Sequence, residues 1–322
     1  MSWLICGTLP DPGLEILYGQ ATVQLQAGSA LRPDTGAQME NPRSTEPDDK
    51  AELRDVLWLR QADGQEIALP INRGTAALAS AAALVCAELG APAPYLLLAG
   101  DRGTGKGSRL VYDYLLRHAA DFAGWGITFH YLLPDVEWHN KLLNAFDALE
   151  PRPTLCADAG FMYVAKMSGH AAKYDLFTPD AGELAFLADE KAPHPFYTRG
   201  FLLAEEEKAP ELAARAYEHA NTASTMLIKG RTDYIVQAGK ALESIDYPMV
   251  PNLEPIGGTG DTVAGTASAL LSAGYPMLRA CRLAAQANRF MGQLAQPSPA
   301  TQIAELLAQL PGALQLALQE PQ

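Results

Sequence analysis

Gly257-Gly258-Thr259-Gly260-Asp261-Thr262-Val263-Ala264-Gly265 is the stretch on which the reading of this 322-residue chain turns. Three glycines ahead of an acidic residue make a backbone that can wrap an anion while one carboxylate faces it. Beyond Asp261 the apolar positions Val263, Ala267, Leu270 and Leu271 recur at helical spacing, and Gly274 followed by Pro276 stops the helix. The N–H groups of Gly258, Thr259 and Gly260 are therefore expected at a helix N-terminus, where unpaired donors and the helix dipole both favour phosphate. A carboxylate placed there repels phosphate unless it has a task. The task that fits is taking a proton from a hydroxyl that attacks phosphorus. The competing reading is that Asp261 only caps its helix.

Composition sets the frame. The chain is 48% hydrophobic, enough for a large core in one α/β domain or two smaller ones. A formal charge of -13 disfavours nucleic acid and anionic membrane as partners, so a bound phosphate must be met by backbone donors and a few basic residues. No run approaches the roughly 18 uninterrupted apolar residues of a membrane helix, and the N-terminus lacks the basic flank of a signal peptide. A cytoplasmic protein is expected. Cys6, Cys86, Cys156 and Cys281 stand singly in apolar elements and read as small buried core residues. The six histidines show no zinc-ligand spacing.

Residues 1–70 read as a small β-rich segment, with short strands at 3–6, 15–18, 22–26, 56–60 and 66–69. Within it, 31–50 is rich in Pro, Asp, Glu, Asn and Ser, and is expected to be a mobile surface loop. From Gly74 onward helices and strands alternate. Strands are expected at 95–99, 127–133, 154–157, 174–177, 226–228 and 234–236, followed by an all-helical finish from Thr259. That order implies a second domain, 71–322, with a mainly parallel sheet covered by helices on both faces. Ligands of such sheets sit beyond the carboxyl ends of the strands.

Several residues stand at those ends. Gly100-Asp101-Arg102-Gly103-Thr104-Gly105-Lys106-Gly107-Ser108 lies between a strand and a helix and has much of a P-loop's spacing, but Gly107 occupies the place of the magnesium-binding hydroxyl. It reads as a P-loop, as a substrate-side turn of the sheet or as a purely structural glycine turn. Asp180 and Glu183 open a helix and lie on one side of its first turn, suited to holding the waters of a magnesium ion or, alternatively, to forming a capping box. Lys229-Gly230 follows an apolar strand, so the ammonium could reach a phosphate or simply be solvated. Asp158 ends another strand. Asn288 interrupts an apolar helical row, and faces either a nucleotide or the core.

Together, in this order, these features resemble the ribokinase-like superfamily over residues 70–310, roughly three quarters of the chain. Arg73-Gly74-Thr75-Ala76-Ala77 is similar to its early substrate-side loop. Gly100-Asp101-Arg102-Gly103 is similar to its Gly-Asp turn, Asp180-Ala181-Gly182-Glu183 to its Asn-x-x-Glu motif, and Gly258-Thr259-Gly260-Asp261 to its anion hole and base. Within the superfamily the likeness is strongest to the NAD(P)H-hydrate dehydratases, through residues 178–183, Lys229-Gly230, Asp158-Ala159 and residues 257–265. Asp180 replaces the His of that family, and its Gly-Pro-Gly-Leu-Gly loop is missing near Leu133-Pro134-Asp135.

The resemblance implies a three-layer α/β fold and a reaction using ATP or ADP with Mg2+. In it, a hydroxyl of a small molecule, hydrated NAD(P)H or a sugar or nucleoside, accepts a phosphoryl group. It implies Asp261 as base with Gly258, Thr259 and Gly260 as anion hole. Gly257, Lys229, Gly230 and Asn288 then fall on the nucleotide side, Asp101, Gly103, Lys106 and Asp158 on the acceptor side, and Asp180 and Glu183 at the metal. A carbohydrate or nucleoside kinase and a non-catalytic nucleotide-binding homologue are the alternatives, and a homo-oligomer is allowed.

Overall fold

The computed structural model describes residues 1–25, 55–194 and 208–320; the loop expected at 31–50 lies outside them. Among the described residues eleven strands form one sheet: β1 (Trp3–Leu9), β2 (Leu17–Gln24), β3 (Val56–Arg60), β4 (Glu66–Pro70), β5 (Tyr95–Gly100), β6 (Gly126–His130), β7 (Thr154–Ala157), β8 (Leu176–Phe177), β9 (Thr225–Ile228), β10 (Asp233–Gln237) and β11 (Lys240–Ile245). Their order is β11-β10-β9-β8-β7-β6-β1-β5-β2-β3-β4. The middle of the sheet, β9-β8-β7-β6-β1-β5, is parallel throughout. Antiparallel strands extend both edges. Wholly buried strands such as β6 belong to a parallel sheet covered on both faces.

The strands of the first 70 residues join this sheet rather than forming a layer of their own. β1 is inserted between β5 and β6, in register Cys6 to Leu97 and Cys6 to Phe129. Residues 15–18 and 22–26, read as two strands, are largely one, β2. Strand β11 escaped the sequence reading because its exposed, polar face shows no apolar alternation.

Helices cover both faces. On one side pack α1 (Thr75–Glu88), α7 (Thr259–Ser272), α8 (Met277–Ala295), α9 (Ile303–Leu307) and α10 (Leu310–Gln319); on the other lie α2 (Lys106–Arg117), α3 (Val136–Asp147), α4 (Gly160–Met167), α5 (Ala181–Ala188) and α6 (Ala209–Glu218). Helices α1 and α7 approach closely because Gly265 has no Cβ; one there would stand 2.1 Å from the Leu78 carbonyl oxygen. The last glycine of the 257–265 stretch therefore serves packing, and it sets the distance between the N-termini of α1 and α7. All four cysteines are buried and free. Among the described residues no helix is long and apolar enough to cross a membrane.

Candidate active site

A cavity of about 980 Å³ opens beyond the carboxyl ends of the parallel strands. The strand ends line it one after another: Thr8 and Leu9 from β1, Asp101 after β5, Tyr131 after β6, Asp158 after β7, Asp180 after β8 and Lys229 after β9. The N-termini of α1 and α7 close it from one helical layer with Arg73, Gly74, Thr75, Gly257, Gly258, Gly260 and Asp261. A strand's direction thus decides which chemistry reaches the site, and six parallel strands aim at one place.

Asp261 stands in the first turn of α7, but its carboxylate does not cap that helix. Oδ2 accepts the Gly74 N–H at 2.7 Å, and Oδ1 lies 3.0 Å from His130 Nε2. Both partners belong to other elements. The capping-only reading therefore fails, and the first-turn N–H groups of α7, which no helix can satisfy internally, are left beside the cavity. Gly258 takes φ 109, a left-handed conformation, and a Cβ there would stand 2.8 Å from Ile303, so only glycine makes this turn without strain. Burial opposes ionisation of Asp261, yet the His130 contact, the Lys229 ammonium and the Gly74 N–H together hold its carboxyl below the usual range.

Lys229 and Asp158, assigned from sequence to opposite sides of the site, are one ion pair: Nζ lies 2.8 Å from Asp158 Oδ1, and both side chains are nearly excluded from solvent. Burial works against the Lys229 charge, but Asp158, Glu183 and Asp261 outweigh it and hold the ammonium above the usual lysine range. The turn after Lys229 is built from behind. Asp233 Oδ1 accepts the Gly230 N–H at 3.0 Å, and Arg289, paired with Asp233, donates to the Gly230 and Arg231 carbonyls.

Asp180 and Glu183 form the capping box and also line the cavity. Asp180 Oδ1 accepts the Glu183 N–H at 2.8 Å, and Glu183 Oε2 accepts the Asp180 N–H at 2.9 Å. Each carboxylate keeps a second oxygen. Burial first, and the neighbouring Asp180 next, push the Glu183 carboxyl well above its usual range. Two carboxylates lining the cavity, each with an oxygen beyond the capping box, are the hard oxygen donors that Mg2+ takes, and in that respect these residues fit it. Ligand atoms of His130, Asp158 and Asp261 also lie within 4.8 Å of one another.

The other glycine-rich loop behaves differently. Asp101 Oδ1 accepts from the N–H groups of Thr104 and Gly105 and from the Thr104 hydroxyl; Oδ2 accepts from the N–H and the hydroxyl of Ser108. Of the N–H groups that a P-loop would offer to phosphate, those of Thr104, Gly105 and Ser108 are filled by the loop's own carboxylate and that of Lys106 by the Thr104 hydroxyl. Burial opposes this too, but those backbone donors hold the Asp101 carboxyl below the usual range. Asp101 and Gly103 line the cavity; Lys106 opens α2 exposed to solvent and off the cavity wall.

Three further residues named from sequence stand off the wall. Asn288 accepts the Thr262 hydroxyl at 2.7 Å and ties α8 to α7, the core-amide alternative. Thr259 donates its hydroxyl to the Ile256 carbonyl at 3.1 Å, and Gly230 is held by Asp233. Conversely, sequence reading left out of its site His130, Tyr131 and Tyr163, while Arg73, Gly74 and Thr75, which line the cavity, entered it only through the resemblance of their segment to a substrate-side loop and with no role assigned. His130 was detectable as a polar residue closing an apolar strand; Tyr131 and Tyr163 had no signal beyond their place after a strand or in a helix.

Comparison with known proteins now bears on this geometry. Residues 133–311, more than half of the chain, match the family model described as NAD(P)H-hydrate dehydratase. The chain belongs to that family. An uncharacterized protein of Methanocaldococcus jannaschii is 37% identical over 224 residues, 69% of this chain and 92% of that one. The ADP-dependent (S)-NAD(P)H-hydrate dehydratase of Cenarchaeum symbiosum is 30% identical over 139 residues, 43% of each chain, so the match spans less than half of that relative. Phosphofructokinase-2 of Escherichia coli, solved in complex with potassium, superposes with a TM-score of 0.50 at 11% identity over 98% of this chain and 99% of that one, a likeness of fold alone. The ribokinase-like resemblance and the three-layer α/β fold both stand. In this NAD(P)H-hydrate dehydratase family member the family match begins at Leu133, three residues past the end of β6, and takes in Asp158, Asp180, Glu183, Lys229 and the 257–265 stretch.

Proposed function

We propose that this protein is an ATP- or ADP-dependent NAD(P)H-hydrate dehydratase-like enzyme whose chemistry starts at Asp261. The single observation that carries the reading is that Asp261 turns away from its own helix to Gly74 and His130, leaving the first-turn N–H groups of α7 at the cavity with its carboxylate beside them. In this reading those N–H groups, from Gly258 to Gly260, hold the transferring phosphoryl group and stabilise the charge that develops on it. Asp261 takes the proton of the acceptor hydroxyl as its oxygen bonds to phosphorus and the nucleotide oxygen leaves. Elimination then breaks the carbon–oxygen bond to release inorganic phosphate, while the neighbouring ring carbon gives up a proton and the electron pair of that C–H bond becomes the restored double bond.

Asp180 and Glu183 would hold Mg2+ through the oxygens left over from their capping box, supplying charge neutralisation at the phosphates. Lys229 supplies a further cation, and its pairing with Asp158 fixes where it stands. The apolar wall of Leu9, Tyr131, Leu132, Leu133 and Tyr163 suits a planar ring. The test is an assay of purified protein with hydrated NADH and with a sugar and nucleoside panel, each with ATP and with ADP. Nucleotide-dependent recovery of NADH supports the reading. Phosphorylation of a sugar or nucleoside without any dehydration would assign a kinase instead, and a nucleotide-induced rise in melting temperature without turnover a non-catalytic homologue.

A further inference from the structure

Tyr131 follows the last residue of β6 with φ 49, a left-handed backbone that a bulky side chain adopts only where its surroundings force it. Three anchors hold it there. The Thr8 hydroxyl, near the end of β1, donates to the Tyr131 carbonyl at 2.5 Å; Leu132 is buried; and the Leu133 N–H donates to the Ser108 hydroxyl of α2 at 2.9 Å. The turn also decides which way the side chain goes. Successive side chains of a strand point to opposite faces. In β6, Phe129 stacks on Phe161 of α4, whereas Thr128 and His130 bond to Ser268 and Asp261 of α7. An extended residue 131 would join Phe129 on the α4 side. Instead its ring stands edge-on to the His130 ring, centroids 4.3 Å apart, and lies over Gly74, where a Cβ would come within 3.3 Å of Tyr131 Cε2.

The strained turn thus carries an aromatic ring to the side of the sheet where Asp261 stands. Core packing does not account for it: Tyr131 stays 50% exposed, and it is the cavity that it faces. Strain kept for a half-exposed ring in a cavity is the mark of a ligand contact. The geometry points to Tyr131 as the platform on which a near-planar ring of the acceptor stacks, so placed that the hydroxyl on that ring meets Asp261. Gly74, beneath the tyrosine ring, is also the residue whose N–H holds the Asp261 carboxylate, so platform and base are fixed to the same point. An aromatic face favours a flat, conjugated ring, and the hydrated nicotinamide is the acceptor ring of that kind. That the ring is a nicotinamide rests on the dehydratase reading; the placement of the platform does not.

The test is calorimetric titration of the whole protein with NADH, with reduced nicotinamide mononucleotide and with ADP-ribose, which carry both rings, the nicotinamide alone and the adenine alone. Tyr131→Leu, apolar but not flat, should weaken NADH and the mononucleotide alike by about 5–100-fold, the range for losing an aromatic stack, and leave ADP-ribose within about twofold. Tyr131→Phe, which keeps the ring, should bind all three within about threefold of the unsubstituted protein. Unchanged NADH binding in Tyr131→Leu overturns the inference. So does a loss shared by NADH and ADP-ribose with the mononucleotide unaffected, which would put adenine on Tyr131. An unsubstituted protein that does not bind NADH at all overturns the nicotinamide assignment together with the dehydratase reading. Two ring-free variants test the strain separately. At an ordinary position Gly is less stable than Ala, but at φ 49 Tyr131→Gly should melt above Tyr131→Ala. The opposite order would remove the strained turn on which the inference stands.

Discussion

The two glycine-rich loops of this protein are built from the same materials and end in opposite states. Each leads into a helix N-terminus and carries one aspartate, and left-handed glycines shape both, Gly103 and Gly105 in the first and Gly258 in the second. Asp101 folds back on its own loop and fills the N–H groups of Thr104, Gly105 and Ser108. Asp261 reaches across to Gly74 and His130 and leaves its helix N-terminus open. The first loop is an anion site that contains its anion; the second is an anion site with a reactive group beside it. An aspartate at a helix start thus says little by itself, because what its carboxylate touches depends on which other elements come within 3 Å.

Breaking the open loop should have the largest effect. Asp261→Asn is expected to lower turnover by on the order of a thousandfold, the cost of a lost general base, while nucleotide binding measured by calorimetry persists. Turnover within tenfold of normal would place the base elsewhere. Next, Lys229→Met strands the Asp158 carboxylate in the interior. Removing one partner of a buried pair costs about 3–5 kcal/mol, read as a denaturant midpoint, and Lys229→Met with Asp158→Asn together should recover most of it. Gly258→Ala puts a side chain into a left-handed turn against Ile303; a loss of about 1–3 kcal/mol is expected, together with weaker nucleotide binding.

The closed loop should respond in stability alone. Asp101→Ala is expected to cost about 2 kcal/mol or less, as for loss of a helix-capping carboxylate, with nucleotide affinity unchanged. Because the folded-state carboxyl of Asp101 lies below its unfolded value, its contribution is complete above the usual carboxylate range near pH 4 and disappears as pH falls through the lowered value. The difference in melting temperature between the unsubstituted protein and Asp101→Ala should therefore vanish in acid. Lys106→Ala should be the quietest, with nucleotide affinity within about twofold of normal. A loss of binding there would revive the P-loop reading and reverse the comparison between the loops.

Much of the site was legible because strand ends are legible. An apolar run that stops at a polar residue marks where a parallel strand reaches the cavity, and Asp158, Asp180 and Lys229 were found this way. The start of α7 at Thr259 and its end near Gly274 followed from spacing and from Gly and Pro. His130 escaped because its strand was read as running on to Leu133, which hid the residue that closes it. Lys106 stands off the cavity wall, which the sequence did not show because a glycine-rich spacing does not encode where a side chain points. Asn288 and its helical neighbour Arg289 are separated by about 100° of helix, and that rotation puts the amide against Thr262 and the guanidinium against the Lys229 turn.

Sequence by itself determined the alternation of helix and strand, the mainly parallel sheet, the glycine turn before Asp261 and the chemistry present at the strand ends, since all of these depend on local spacing and on what a backbone position tolerates. Tertiary structure alone decided that β1 enters the middle of the sheet, that Lys229 and Asp158 are one pair, and that Asp101 closes its loop while Asp261 leaves its own open. Those outcomes rest on hydrogen bonds and charges between residues as far apart in sequence as Gly74 and Asp261. A hydrogen bond acts over about 3 Å, and which distant groups come that close is set by packing, such as the approach of α1 and α7 at Gly265.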